Sequence, residues 1–111
     1  MKGEKIGELE ELILLTVAIL YKEAYGISVM NELKAQTGRN LNISAVHAVL
    51  KRLEDKGFLK SSMGGATSDR GGRRKRLFQL TQSGKQAIDE ARDIRNRMHQ
   101  MIPDMAFNIS Y

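Results

Sequence analysis

The chain has 111 residues, with 18 Lys plus Arg against 13 Asp plus Glu and a formal net charge of +5. This length allows one small domain with a modest core, and the basic balance favours a polyanionic partner. The absence of cysteine excludes disulfides, thiolate zinc sites and cysteine catalysis.

The first predicted helix, Glu8–Tyr21, is apolar on most of its sides. Its apolar segment Leu12–Leu20 is far shorter than the roughly 20 residues that cross a bilayer. Glutamates rather than lysines precede this segment, unlike a signal peptide, so we expect a cytoplasmic protein without a membrane partner. A helix that is apolar on most sides must be covered on most sides, which predicts that Leu12 and Leu15 meet a second subunit.

A second helix is predicted from Tyr25–Gly26 to about Thr37, where Gly38 closes it. The residues that we expect to face inward are Ile27, Met30 and Leu33. In the short segment that follows, Leu41 is predicted to form a single strand-like pairing. A short connection of this kind between two helices is compatible with a helix-turn-helix.

The third predicted helix, residues 44–56, has two contrasting faces. It starts at Ile43 and Ser44, where a hydroxyl can cap free backbone N–H groups, and it stops at Gly57. Its apolar face consists of Val46, Val49, Leu50 and Leu53. Its polar face consists of Ser44, His47, Ala48, Lys51 and Arg52. That face is small at its start and cationic further on, so it suits a DNA major groove, although ordinary surface helices share this pattern.

A hairpin is predicted next, with strands Phe58–Met63 and Lys75–Leu80 and a flexible tip Gly64–Arg74. It holds the densest positive charge of the chain: Arg70, Arg73, Arg74, Lys75 and Arg76. Arginines can enter a minor groove or clamp phosphates. Two helices, a cationic helix and a cationic hairpin follow one another in the order of a winged helix-turn-helix, so the predicted fold is mainly α with a small β-hairpin (α+β).

Thr81 is predicted to cap a last helix that ends near Ile102, before Pro103. Its apolar residues recur at spacings of four and three: Ala87, Ala91, Ile94, Met98, Met101 and Met105. This seam predicts a coiled-coil-like dimer contact, and packing on the chain's own domain is the alternative. We divide the chain into a winged-helix domain, residues 1–80, and a dimerisation helix with its tail, residues 81–111, within one compact unit.

No catalytic constellation is recognisable in the sequence. The two histidines, His47 and His99, lie on different predicted elements, and no HExxH, P-loop, GxSxG or dinucleotide motif occurs. The acidic residues are scattered, so no spacing suggests a metal site. We therefore expect no enzyme activity, no cofactor and no metal.

The sequence also resembles the PadR-type transcriptional regulators. The similar segments are GELEELILLTVAIL, AYGISVMNEL, SAVHAVLKRLEDKGFLKS and GGRRKRLFQLTQSGKQAI, which together cover roughly Gly7 to Ile88. The resemblance implies a dimeric winged-helix repressor that binds palindrome-like operators and that a small hydrophobic or phenolic effector can release. The chain departs from the family where His47-Ala48 replaces a usual Tyr-Pro pair, where Ile27 follows Tyr25-Gly26, and where Phe78 replaces a usual Tyr.

The leading hypothesis is a homodimeric, sequence-specific DNA-binding regulator that acts as a repressor. The residues expected to contact double-stranded DNA are Asn42, Ser44, His47, Lys51, Arg52, Arg70, Arg73, Arg74, Lys75 and Arg76. The residues expected at the dimer interface are Leu12, Leu15, Ala87, Ala91, Ile94, Met98 and Met101. The alternative from another class is a winged-helix protein–protein interaction module without specific DNA binding.

Overall fold

The computed structural model describes residues 5–66 and 74–107. Its elements are α1 (Glu8–Leu20), α2 (Gly26–Thr37), α3 (Ile43–Asp55), β1 (Leu59–Ala66), β2 (Arg74–Leu80) and α4 (Gln82–Met101). Two 3-10 helices, Tyr21–Glu23 and Asp104–Phe107, follow α1 and α4. The order of three helices, a hairpin and a fourth helix is the order that the sequence predicts.

One apolar core joins the first three helices to the base of the hairpin and the start of α4. The predicted apolar face of α3 is buried in it. The core residues are Ile13, Leu14, Val17, Ala24, Val29, Leu33, Val46, Val49, Leu50, Leu53, Phe58, Leu59, Phe78 and Ile88. Each buried side chain of this size contributes about 1.5–3 kcal/mol relative to an exposed one, so this core supplies the main driving force for folding.

Helices α1 and α2 differ from the prediction at two points. Helix α1 ends at Leu20, one residue early, because Tyr21 has φ 56° and ψ −108° and cannot continue a right-handed helix. In α2 Leu33 is buried as predicted, and Val29 is buried in place of Ile27, which is exposed, and Met30, which is half-buried. The sequence alone could not decide between these neighbouring positions, since both suit a helical spacing.

The start of α3 corrects the predicted cap. Asn42 rather than Ser44 is the N-cap, and its side-chain oxygen accepts a hydrogen bond from the backbone N–H of Ala45 at 2.8 Å. Ser44 lies inside the first turn and is exposed. At the other end Gly57 has φ 84°, the left-handed conformation predicted for the residue that stops this helix.

The hairpin is antiparallel, with Leu59 opposite Leu80 and Ser61 opposite Phe78. Strand β1 extends beyond its predicted end because Ala66 pairs with Arg74, after a register shift between Met63 and Ala66. Residues 64–66, predicted to belong to the tip, are therefore part of the strand, whereas residues 67–73 of that tip lie outside the described residues.

The single strand-like pairing predicted at Leu41 is wrong, since that residue is half-buried outside any strand. A single pairing is instead made by Ala24, whose carbonyl accepts a hydrogen bond from the backbone N–H of Phe78 at 2.8 Å. This bond attaches β2 to the segment immediately before α2.

Helix α4 starts as predicted, but its far part has no buried residue. Thr81 caps it by accepting a hydrogen bond from the Gly84 N–H at 3.0 Å. Beyond Ile88 no residue as far as Met105 is buried. The Cα radius of gyration is 17.0 Å, against about 13 Å for a compact chain of this length. The far part of α4 therefore extends beyond the rest of the fold.

Within residues 5–66 and 74–107, none of the helices combines the length and the apolar content needed to cross a membrane.

Substituting Gly84→Ala should destabilise the protein by about 2–3 kcal/mol, because overpacking a filled site forces side chains and backbone apart. A Cβ at this position would lie 2.2 Å from the Phe58 carbonyl oxygen and 2.8 Å from Leu80 Cδ1. Urea unfolding measures the loss. The neighbouring exposed substitution Ser83→Ala is the control and should change stability by less than about 0.5 kcal/mol. Equal stabilities of the two variants would contradict the packing described here.

Candidate nucleic-acid interface

Helix α3 presents one continuous exposed side to solvent. Ser44, His47, Ala48 and Lys51 recur at helical spacing along it, and all four are exposed. The Lys51 ammonium lies 3.2 Å from the Asp55 carboxylate, so part of its charge is balanced on the same helix. The side chains on it are small near the N-terminal end of the helix and cationic further along, as the sequence predicts.

The His47 ring is positioned by α2. An ideal Cβ built on Gly26 would lie 2.6 Å from His47 Cε1 and 2.9 Å from Nε2. The imidazole therefore rests against the backbone at the start of α2, in space that only a glycine leaves open. The start of α2 and the exposed side of α3 therefore meet at Gly26 and His47.

A cleft separates α3 from the hairpin and joins their polar groups. It is lined by His47, Lys51, Glu54, Arg76 and Phe78. The Ser61 hydroxyl donates to Glu54 Oε2 at 2.6 Å and accepts from Arg76 Nη1 at 2.9 Å. This chain of hydrogen bonds joins Arg76 to Glu54 of α3, and Arg76 and Lys51, two cations from different elements, line the same cleft.

Of the other hairpin cations expected to contact DNA, Lys75 is the one whose side chain the structure describes. The Lys75 ammonium lies over the ring of Tyr25, 4.2 Å from its centroid, which is cation–π geometry. Arg70 and Arg73 lie outside the described residues, and of Arg74 only the backbone is described.

Arg52 is also exposed, over 52% of its side chain, but its guanidinium binds a residue of α1. Its Nε donates to Glu10 Oε2 at 2.9 Å, and Lys56 Nζ donates to the same oxygen at 2.9 Å. Glu10 Oε1 accepts from the Gly7 N–H at 2.8 Å. Burial alone would raise the pKa of Glu10, but these hydrogen bonds from Lys56, Gly7 and Arg52, with the charge of Lys56, lower the pKa to about 2. Arg52 therefore joins α3 to α1.

The residues expected at a dimer interface lie on α1 and α4. Leu12, Ala87 and Ala91 are half-buried, and Leu15 is exposed. Ile94, Met98 and Met101 are 48%, 62% and 74% exposed. Packing of the seam on its own domain, the alternative in the sequence analysis, is therefore wrong for these last three residues.

The sequence analysis missed the charged groups that join the helices. The glutamates of α1 served there as evidence against a signal peptide, yet Glu10 and Glu11 are buried and bind cations from elsewhere in the chain. Arg95 Nη1 donates to Glu11 Oε1 at 2.6 Å. The available signal was the position of two carboxylates within a helix that is otherwise apolar, since buried charges need partners.

In the part of the chain that the structure describes, no group of three or more His, Asp or Glu side chains is arranged to hold a metal ion.

An exposed amphipathic third helix beside a two-stranded hairpin defines a winged-helix protein of the kind that binds DNA. The family model described as the transcriptional regulator PadR-like family matches residues 14–90. Because this match covers most of the chain, the protein belongs to the PadR-like family, as the sequence analysis predicts. The family consists of transcriptional regulators and not of enzymes.

Solved structures share the fold. A PadR-like transcriptional regulator from Bacillus cereus matches with a TM-score of 0.69 and 15% identity, over 88% of this chain and 90% of that one. F93 from STIV, a winged-helix DNA-binding protein, matches at 0.66 and 12%, over 86% and 95%. PadR of Bacillus subtilis in complex with operator DNA matches at 0.61 and 26%, over 75% of this chain but 45% of that one. No curated protein sequence matches this chain significantly.

Substituting Glu10→Gln should lower stability near neutral pH by about 2 kcal/mol, because a carboxylate with a lowered pKa stabilises the fold while it is ionised. The loss in the free energy of unfolding is smaller than the pKa shift alone would give, because Arg52 and Lys56 are partly exposed and water screens their charges. The difference from the unsubstituted protein should shrink below pH 4.5, the ordinary pKa, and vanish towards pH 2. Urea unfolding between about pH 6 and about pH 3 measures it.

Glu8→Gln is the matched control, since Glu8 lies in the same turn and forms an exposed pair with Arg39 at 3.0 Å. The Glu8→Gln substitution should lower the free energy of unfolding by less than about 1 kcal/mol. A Glu10→Gln difference that stays constant from about pH 6 to about pH 3 would contradict the ion-pair network.

Proposed function

We propose that this protein is a homodimeric transcriptional repressor that reads a palindrome-like operator. Helix α3, residues 44–56, would lie in the major groove, and residues 64–76 of the hairpin would contact the backbone or the adjacent minor groove. The observation that carries this proposal is the cleft between α3 and β2, where Lys51 and Arg76 flank one surface. Such a protein would act on the nucleoid, in the cytoplasm.

The exposed side of α3 supports distinct roles along its length. Ser44 and His47 near the N-terminal end would lie at or near base edges, where small and polar groups approach closely. Lys51 and Arg76 would hold phosphates on either side of the cleft, which fixes orientation without reading sequence. Asn42 caps the helix and would keep its first turn directed at the groove. We reassign Arg52 from a phosphate contact to holding α3 against α1.

The basic hairpin supports a contact outside the major groove. Arg70, Arg73, Arg74, Lys75 and Arg76 are five of the 18 Lys and Arg residues. A protein that neutralises several phosphates binds with a steep salt dependence, since it releases condensed counterions. A protein-binding winged helix has no need of this charge, which favours DNA over a protein partner.

The exposed apolar side of α4 supports the homodimer. Ile94, Met98 and Met101 leave much of their surface in water, and their spacing is that of a helix–helix seam. A second copy of α4 would cover them. Two α3 helices related by a two-fold axis would then match the two halves of a palindrome.

A cleft between α1 and α4 supports a small-molecule effector. It is lined by Lys5, Ile6, Glu11, Ala87, Glu90, Ala91, Ile94 and Arg95. Its aliphatic side chains, with charged groups of both signs beside them, suit a small, mainly hydrophobic or phenolic molecule. Because the seam of α4 borders this cleft, an effector bound there would act on the dimer and release the DNA.

Affinity selection of genomic fragments tests the function. The purified protein is incubated with sheared genomic DNA at near-physiological salt and with excess competitor DNA. Recovery of fragments that share an inverted repeat is the expected result. Recovery of nothing above background, together with capture of a defined protein partner, would support the interaction module instead.

Substituting Lys51→Ala should weaken binding about tenfold on every sequence and lower the salt slope by about 1, because a phosphate contact is lost. The double substitution Arg73→Ala with Arg74→Ala should lower the affinity for DNA and the salt slope further. Fluorescence anisotropy over a salt series measures these effects. Arg97→Ala removes the same charge from the exposed far part of α4 and should leave the slope unchanged; an equal loss in this control would mean that only net charge matters.

Substituting Met98→Glu should weaken self-association at least tenfold, about 1.4 kcal/mol, because a charge would replace an apolar contact. Sedimentation equilibrium measures the dissociation constant. Gln100→Glu adds the same charge to another side of α4 and is the control. A Met98→Glu protein that associates like the control would remove this seam from the interface.

A further inference from the structure

Two successive residues of α1 are buried carboxylates. Glu10 and Glu11 expose only 6% and 8% of their surface. An unpaired buried charge is strongly unfavourable, so each needs cationic partners. Their partners come from different elements: Arg52 of α3 and Lys56, the C-cap residue that follows α3, bind Glu10, and Arg95 of α4 binds Glu11.

The Glu10 contacts fix how α3 is turned about its axis. Arg52 and Lys56 lie one helical turn apart on one side of α3, and both reach the same Glu10 oxygen at 2.9 Å. Lys51 precedes Arg52 and points away from α1, into the cleft beside the hairpin. These contacts act together with the buried apolar face of α3, Val46, Val49, Leu50 and Leu53, in directing the exposed side of the helix.

The Glu11 contact holds α4 beyond its buried start. Ile88 is the last buried residue of α4, and Arg95 lies two turns further on. Arg95 Nη1 donates a hydrogen bond to Glu11 Oε1 at 2.6 Å, and this ion pair lines two neighbouring clefts. One cleft contains Ala87, Ala91 and Ile94, and the other contains Leu15 and His99, while both include Glu11 and Arg95. Within the described residues, this ion pair bridges a gap that apolar packing does not fill.

We propose that Glu10 and Glu11 are positioning residues that together fix the angle between α3 and α4. In a dimer formed through α4 they would thereby set the separation of the two α3 helices. This inference rests on the proposed homodimer. Its functional consequence follows from DNA geometry, because two reading helices must be separated by about one turn of duplex, roughly 34 Å, or a multiple of it.

The absence of cysteine from the chain allows a direct test. A nitroxide label is attached to Ala48→Cys, an exposed position on α3, and pulsed dipolar spectroscopy on the full chain then measures the distance between the two α3 helices of a dimer. The parent labelled protein should give one narrow distribution. Adding Glu11→Gln or Arg95→Met should broaden it roughly twofold, as expected when a helix gains a hinge motion, and Glu10→Gln should broaden it by rotation of α3.

Three further variants separate positioning from simple loss of stability. Arg95→Lys keeps a cation and should restore a narrow distribution. Glu8→Gln removes a carboxylate from the same turn without touching α3 or α4 and should leave the distribution unchanged. Lys56→Met tests the Glu10 side without altering α1. Circular dichroism confirms folding of each variant. For the DNA readout, the same substitutions are made in the chain with Ala48 and no label, because Ala48 lies on the proposed DNA-reading side of α3. These unlabelled variants are given DNA libraries in which the half-sites selected by the parent protein are separated by different spacers.

The outcomes are distinct. Broad distances and a lost spacer preference, with an unchanged half-site sequence, would support the inference. Lower thermal stability with unchanged distances and spacer preference would overturn it while leaving the proposed function intact. No dipolar signal in the parent labelled protein would show that it is not a dimer, which would overturn both the proposed homodimer and this inference.

Discussion

A carboxylate taken out of water must be paired with cations, and α1 buries two of them side by side. Glu10 attracts Arg52 and Lys56 from α3, and Glu11 attracts Arg95 from α4. The apolar core brings these helices together, and its close packing limits their crossing angles. The charge-assisted hydrogen bonds have directions and short distances. Helix α1 therefore orients both α3 and α4.

This arrangement connects the two surfaces on which the proposed function depends. The exposed side of α3 and the cleft with Arg76 form one of them, and the apolar seam of α4 with Ile94 and Met98 forms the other. The two surfaces share no residue, and in the described part of the chain α1, the base of the hairpin and the start of α4 connect them. A ligand in the cleft between α1 and α4 would act on this relation, since that cleft includes both Glu11 and Arg95.

The sequence predicts local features well and distant contacts poorly. The apolar face of α3, the Thr81 cap and the order of elements follow from spacing and residue type within a few positions, and the structure confirms them. Arg52 and Lys51 are adjacent and chemically alike, so no local pattern could tell that only Arg52 reaches Glu10, 42 residues away. The pairing of Ala24 with Phe78, in place of the one predicted at Leu41, depends on the same kind of distant contact.

The most direct test of this account is a hydroxyl-radical footprint of the protein on a DNA fragment selected from the genome, with the protein-to-DNA stoichiometry measured in parallel. Two α3 helices held at a fixed separation predict two protected patches whose centres lie about 10 base pairs apart, or a multiple of that, with two protein chains per fragment. Hairpin contacts would add protection at the outer edges. A single protected patch with one chain bound, or uniform weak protection along the fragment, would contradict the account.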